Sequence, residues 1–266
     1  MIENIIDLKR YPLDCLADKE GQNLVNQCQR ALHESGLFNL DGFLLPDAIN
    51  QAVENSADQL ANHSFTHERE HNIYFLPGVE GLADNHPVLK QFKTVNHTVC
   101  SDQIRDNVLI ELYEWPPFAA FLAAVMQIPR LHQMDDEISR LNVMGYSAGE
   151  ALNWHFDRSE FTTTLLLQAP DQGGEFQYRT GLRTDSDPNY DGIAEFLAGD
   201  QSDVTTLPLQ AGTLNVFRGK NTLHRVSPVM GDRQRVIAVF SYYENSGVEF
   251  SEEEKIGFYG RSQVRI

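Results

Sequence analysis

The sequence predicts a mainly β protein with a helical N-terminal third: a double-stranded β-helix of the jelly-roll, cupin-like type, buttressed by α-helices. Three observations carry this. From Ile138 onward, runs of β-branched and aromatic residues recur between Gly-rich turns, as in 161–168, 212–217 and 235–243. Before Met126 the apolar residues fall at helical spacing instead, as Leu24, Val25, Cys28 and Leu32 do. The 266 residues contain no repeat, linker or low-complexity stretch, and one large domain suits that length as well as two.

Taken in order, a helix is expected over 21–35, and residues 36–44 alternate as a strand with a glycine break. Pro46 then opens a second helix, where its missing N–H costs nothing in the first turn. That helix runs to about His63. His63, His67 and His71 follow at i, i+4 and i+8, a spacing that would suit a helical metal site; a solvated or loop segment is the plainer reading and the preferred one. Residues 72–100, punctuated by Gly, Pro and His, read as loop or lid. Residues 102–126 read as helix broken at Trp115-Pro116-Pro117, with a second half apolar nearly all round. Strands are expected at 139–146, around His155-x-Asp157, and at 161–168, 175–179, 204–209, 212–217 and 235–243. A polar excursion at 180–203 holds a short helix at 193–197. A single domain over 1–266 divides on this reading into helical support and lid (1–136), jelly-roll core (137–245) and a C-terminal cover (246–266).

Composition bounds the partners. A formal charge of −17 argues against nucleic acid or an anionic membrane, and mildly favours a cationic substrate, although acidity for solubility alone is the better explanation. No apolar run approaches the ~20 residues of a membrane helix, and the acidic N-terminus lacks the features of a signal peptide. Cys15, Cys28 and Cys100 are odd in number and widely spaced. They read as reduced thiols in a cytoplasmic protein, monomeric or homodimeric.

The chemistry concentrates in Asn153-Trp154-His155-Phe156-Asp157-Arg158 and, 67 positions after Asp157, in Leu223-His224-Arg225-Val226. At strand periodicity His155 and Asp157 leave one face, close enough to hold one ion. With His224 they would make two imidazoles and one carboxylate on one side of a metal, the facial arrangement that leaves the opposite positions open for a cosubstrate and O2. Arg233 and Arg235 lie 9 and 11 residues past His224. Either would give a 2-oxo acid's far carboxylate a planar bidentate partner. Singly, each residue has a bland alternative: a hydrogen-bonded strand histidine, a turn aspartate, an exposed strand edge. Their combination with the Tyr146-x-x-Gly149 turn, the Gly173-Gly174-Glu175 turn and Gly212-Thr213-Leu214-Asn215-Val216-Phe217, in this order, is hard to obtain otherwise.

Region 139–243 resembles the Fe(II)/2-oxoglutarate-dependent oxygenase superfamily, and nearly the whole chain is similar to its branch of BesD-like free amino-acid halogenases and hydroxylases. The resemblance implies Fe(II) held by His155, Asp157 and His224 as the catalytic and metal residues. It implies 2-oxoglutarate on Arg233 or Arg235 with Asn142 and Tyr146 near, and O2 as co-oxidant. It further implies a small-molecule substrate of the amino-acid type, basic amino acids included, with Arg140, Trp154, Arg158, Glu160, Phe258 and Tyr259 as candidate contacts. Trp154 is the one for which a place in the core is the better reading. Halogenases of the branch have Gly where Asp157 stands, so the resemblance together with Asp157 implies hydroxylation, or another chloride-free oxidation, instead of halogenation. Rival readings are an oxygenase acting on a peptide or carrier-bound residue, a metal-binding jelly roll without turnover, and a zinc hydrolase. The arginine after His224 speaks against the second, and the lack of a His-Glu helix against the third.

Overall fold

The computed structural model describes residues 1–199 and 201–265. Helix α1 (Lys19–Ser35) leads into β1 (Leu37–Leu40), α2 (Pro46–Asn62), β2 (Phe65–His71) and β3 (Phe92–Cys100). Helices α3 (Val108–Glu114) and α4 (Pro116–Met126) follow, then β4 (His132–Gln133), β5 (Leu141–Tyr146), β6 (Leu152–His155) and β7 (Thr162–Gln168). After β8 (Gln172–Gly173) and β9 (Phe176–Arg179) come α5 (Tyr190–Ala198), β10 (Thr205–Leu207), β11 (Leu214–Phe217) and β12 (Leu223–Val226). The chain closes with β13 (Val229–Met230), β14 (Arg235–Phe240), β15 (Tyr242–Tyr243) and α6 (Glu252–Tyr259).

Seven strands form a major sheet in the order β1-β11-β7-β14-β5-β3-β2, and four form a minor sheet, β10-β9-β12-β6. The pairs are antiparallel, as a jelly roll requires. Side chains alternate across each strand. On the outer face of the major sheet Val143, Leu165, Val216 and Ala238 are fully buried, against a helical layer that includes Phe118 and Phe121 of α4. Each large side chain so buried contributes roughly 1.5–3 kcal/mol. This is why α4 can be apolar nearly all round: it lies between the sheet and α1. The break after α3 falls at Trp115, just before Pro116, as the residue preceding a proline resists helical torsions.

The structure departs from the sequence expectations in three places. Residues 65–71 form neither helix nor loop but β2, an edge strand, and 92–100, read as lid, form β3. Both strands carry polar residues on both faces, so no hydrophobic alternation marks them. As a result the first 136 residues supply three of the seven strands of the major sheet, and the sheet is not confined to 137–245. Helix α3 starts at Val108, not near 102, because Asn107 caps it by accepting from the Leu109 amide. No single helix is long and apolar enough to cross a membrane. Cys15, Cys28 and Cys100 are free thiols.

Candidate metal centre

His155 ends β6, and His224 on β12 is its direct partner across the ladder, so strand register alone brings the imidazoles together, ring centroids 4.2 Å apart. Asp157 lies two residues beyond the end of β6. Its amide donates to the Gly219 carbonyl at 3.0 Å. The carboxylate then turns back, with Oδ1 3.2 Å from His155 Nε2 and Oδ2 3.5 Å from His224 Nε2. Gly219 makes this approach possible, since a Cβ there would sit 2.4 Å from Asp157 Oδ2. Thr162 Oγ1 donates to the same Oδ2 at 2.5 Å and fixes its orientation.

Hydrogen bonding sets the tautomers. Both Nδ1 atoms face backbone carbonyls, His155 that of Asn153 at 2.7 Å and His224 that of Thr222 at 2.8 Å. Each Nδ1 must therefore donate, and a neutral ring then points the Nε2 lone pair at the carboxylate. Two lone pairs and an anion converge with no proton among them, a donor set that a cation satisfies. Burial and the neighbouring His224 lower the pKa of His155, which favours the neutral, ligating form. Burial disfavours an Asp157 anion; positive charge at His224 and His155, or a cation in its place, holds the carboxyl well below its usual range. These three are the one group of His, Cys, Asp or Glu among the described residues whose ligand atoms could share a metal, all within 4.8 Å of one another. The alternative histidines do not converge. His63 is exposed beyond α2, His67 packs on Phe258, and His71 is bonded to the Asn72 carbonyl and Thr94.

The two arginine candidates separate. Arg235 begins β14, is 2% exposed, donates from Nε to the Gly174 carbonyl at 2.9 Å, and leaves Nη1 buried without a partner. It lines a cleft of about 200 Å³ with Leu166, Phe176 and Leu207 from the two sheets. Gly174 stands at a positive φ of 60°, and a Cβ there would press on Pro170 at 2.8 Å and Arg235 at 3.1 Å. Arg233 precedes β14, is 54% exposed, and pairs with Asp171. It lies outside the strand, which begins two residues later.

Of the remaining candidates, Tyr146 is buried beside Arg235, whose guanidinium carbon is 5.7 Å from its ring. Asn142 is inward-facing and accepts from the Tyr259 hydroxyl at 3.1 Å. Phe258 packs against His67 and Arg69, so α6 covers the open end of β2. Arg158 lies at this rim, bonded to Glu254 of α6 at 3.0 Å. Three candidates point elsewhere. Trp154 alternates with His155 and packs on Phe196 of α5, in the core. Arg140 pairs with Glu114 at the end of α3, and Glu160 reaches Arg218.

Sequence reasoning missed Arg69 and Phe75. Arg69 lies over Phe75 (4.3 Å to the centroid), and Phe75 in turn meets His155 at 5.5 Å. Arg69 Nε is buried without a hydrogen-bond partner, and among the described residues no carboxylate pairs with it. Burial and Arg158 lower its pKa. Phe75 holds a left-handed φ of 56°, strain that persists where the surroundings fix a residue. Read at period two, residues 65–71 alternate Phe, His, Arg and His with Thr, Glu and Glu, the one signal that could have revealed them.

A family model described as Halogenase D matches residues 20–255. A search of curated proteins finds no match. Solved structures with the same fold include a 2OG-Fe(II) oxygenase family oxidoreductase from Burkholderia pseudomallei, at TM-score 0.51 and 14% identity over 83% of this chain and 91% of that one. Another is the epimerase SnoN in complex with Fe3+, alpha ketoglutarate and nogalamycin RO (0.54, 14%, 85% and 88%). A third is a prolyl hydroxylase from Trichoplax adhaerens bound to a hypoxia inducible factor peptide (0.51, 12%, 84% and 90%).

Proposed function

The chain belongs to the Halogenase D family, and from that premise we propose that it is a non-haem Fe(II)/2-oxoglutarate-dependent dioxygenase that hydroxylates an unactivated C–H bond of a small substrate, a free amino acid or a derivative. His155, Asp157 and His224 would hold the iron. Arg235, flanked by Tyr146, would take the far carboxylate of 2-oxoglutarate. Bound iron with 2-oxoglutarate and O2 supplies the oxidising power, in the balance R–H + 2-oxoglutarate + O2 → R–OH + succinate + CO2. One observation carries the reading: the lone pairs of two tautomer-fixed imidazoles and a carboxylate converge, and Phe176, whose ring stacks on His224, also lines the cleft in which buried Arg235 keeps an open donor.

The chain's own residues do the positioning. The two Nδ1 bonds lock ring orientation, as outer partners of metal-bound histidines do. Thr162 and Gly219 set the carboxylate. Arg69 on its Phe75 shelf offers a charged anchor for a substrate carboxylate, with Phe258 and Arg158 at the rim of the cover. Within the family it is Asp157 that selects the reaction. Its carboxylate would take the metal position that a halide needs, so that oxygen and not chlorine would be transferred. The test is turnover of Fe(II)-loaded protein with 2-oxoglutarate and O2 in chloride buffer over a pool of free amino acids, with products read by mass. One added oxygen with matching succinate is expected; a chlorinated product would overturn the assignment.

A further inference from the structure

Charge on the inward faces of the two sheets is sharply one-sided. Among the described residues, Asp157 is the one carboxylate there; the inward positions of β2, β3, β5, β7, β11 and β14 are otherwise neutral or cationic. Nearby acids are turned outward or engaged: Glu68 with Lys93 at 2.6 Å, Glu150 with His97 at 2.8 Å, Glu254 with Arg158 at 3.0 Å and Asp136 with Lys255 at 3.3 Å. The cations are left over. Arg235 and Arg69 each keep a buried nitrogen without a partner. Asp171 and Glu175, which also line the Arg235 cleft, are exposed at its outer lip, Asp171 pairing with Arg233.

From this inventory we propose that the substrate is a small carboxylate whose reacting portion carries no positive charge, with a neutral or acidic side chain and not the basic side chain of a lysine-like amino acid. The inference rests on the oxygenase reading above. A side-chain ammonium, unlike an α-ammonium held beside its own carboxylate, would lose its water here, find no inward carboxylate beyond the metal ligand, and face the guanidiniums and the metal. An unpaired buried charge of that kind is strongly disfavoured. A carboxylate, by contrast, pairs with Arg69 and relieves the cost of burying it. Specificity here is set by what the pocket lacks as much as by what it offers.

Asn96 offers a clean test. It is buried on the inward face of β3, diagonal to Arg69 through the His67–Asn96 and Arg69–Thr94 pairs, and its Oδ1 accepts from Thr98. Asn96→Asp keeps that bond and places a carboxylate next to Arg69. The experiment uses the full chain loaded anaerobically with Fe(II) and 2-oxoglutarate, whose visible charge-transfer band reports substrate entry. The band is titrated with aspartate, glutamate, leucine, proline, ornithine, lysine and arginine. Neutral or acidic members are expected to perturb it at concentrations roughly 100-fold or more below the basic ones, and Asn96→Asp should narrow or invert that order. Tightest response to a basic amino acid, no response to any member, or an unchanged order in Asn96→Asp would each overturn the inference. Failure of the band to form at all would strike instead at the oxygenase reading.

Discussion

The two faces of the major sheet obey different rules. Its outer face is apolar, with Val143, Leu165, Val216 and Ala238 fully buried against the helices. The inner face carries Arg69, Thr94, Asn96, Asn142 and Arg235, a set that no core would choose for stability. On the central strands the two sets lie one residue apart, as Asn142 and Val143 do on β5. The outer face therefore holds the protein together while the inner face, polar and partly unsatisfied, is shaped for what it binds.

Substitutions should separate the two. The largest effect is expected outside: Phe121→Ala, at a fully buried site against Phe38, should cost about 3–5 kcal/mol, read as a fall in thermal midpoint, with metal affinity intact in the protein that remains folded. An equal loss of iron binding in folded protein would break the separation. Asp157→Ala and His224→Ala should do the reverse, lowering Fe(II) affinity by ~100-fold or more with the thermal midpoint of the metal-free protein held or raised. A large drop in that midpoint would mean that the triad is structural.

Two smaller effects sharpen the comparison. Arg235→Ala removes a charge-assisted pair worth about 1.5–3 kcal/mol, so 2-oxoglutarate affinity measured by calorimetry should fall ~10–100-fold, whereas Arg233→Ala should leave it unchanged. The smallest concerns pH. Burial, opposed by the bond to the Asn72 carbonyl, pushes His71 down to about 4 from an ordinary 6.5. The unfolded chain then binds more protons than the folded one between those values, so this residue's contribution is present above about 6.5 and is lost as pH falls toward 4. A His71→Gln variant should show a flatter fall of thermal midpoint across that window; an unchanged slope would assign the acid sensitivity elsewhere.

The same division explains what could be read from sequence. The outer face and its helices announce themselves through periodicity: α1, α2, β5, β7 and β14 fall within a few residues of expectation. The triad was legible because His155, Asp157 and His224 are chemically rare in that spacing, and Arg235 because it follows His224 closely. β2 and β3 were not, since polar residues on both faces erase the hydrophobic signal that marks a strand. Arg69 and Phe75 were hidden with them. Arg233 could not be told from Arg235 because the start of β14, which decides which arginine is buried, depends on pairing with Tyr146.

Our proposal joins Arg235 and the triad in one centre, the triad holding a metal and the arginine the far carboxylate of a 2-oxo acid. It is tested most directly by adding 2-oxoglutarate anaerobically to the Fe(II)-loaded protein and recording the visible charge-transfer band in wild type, Arg233→Ala and Arg235→Ala. The band should form in the first two and weaken or vanish in the third. Iron-loaded wild type that shows no band, or an Arg235→Ala protein that keeps it in full, would contradict the claim.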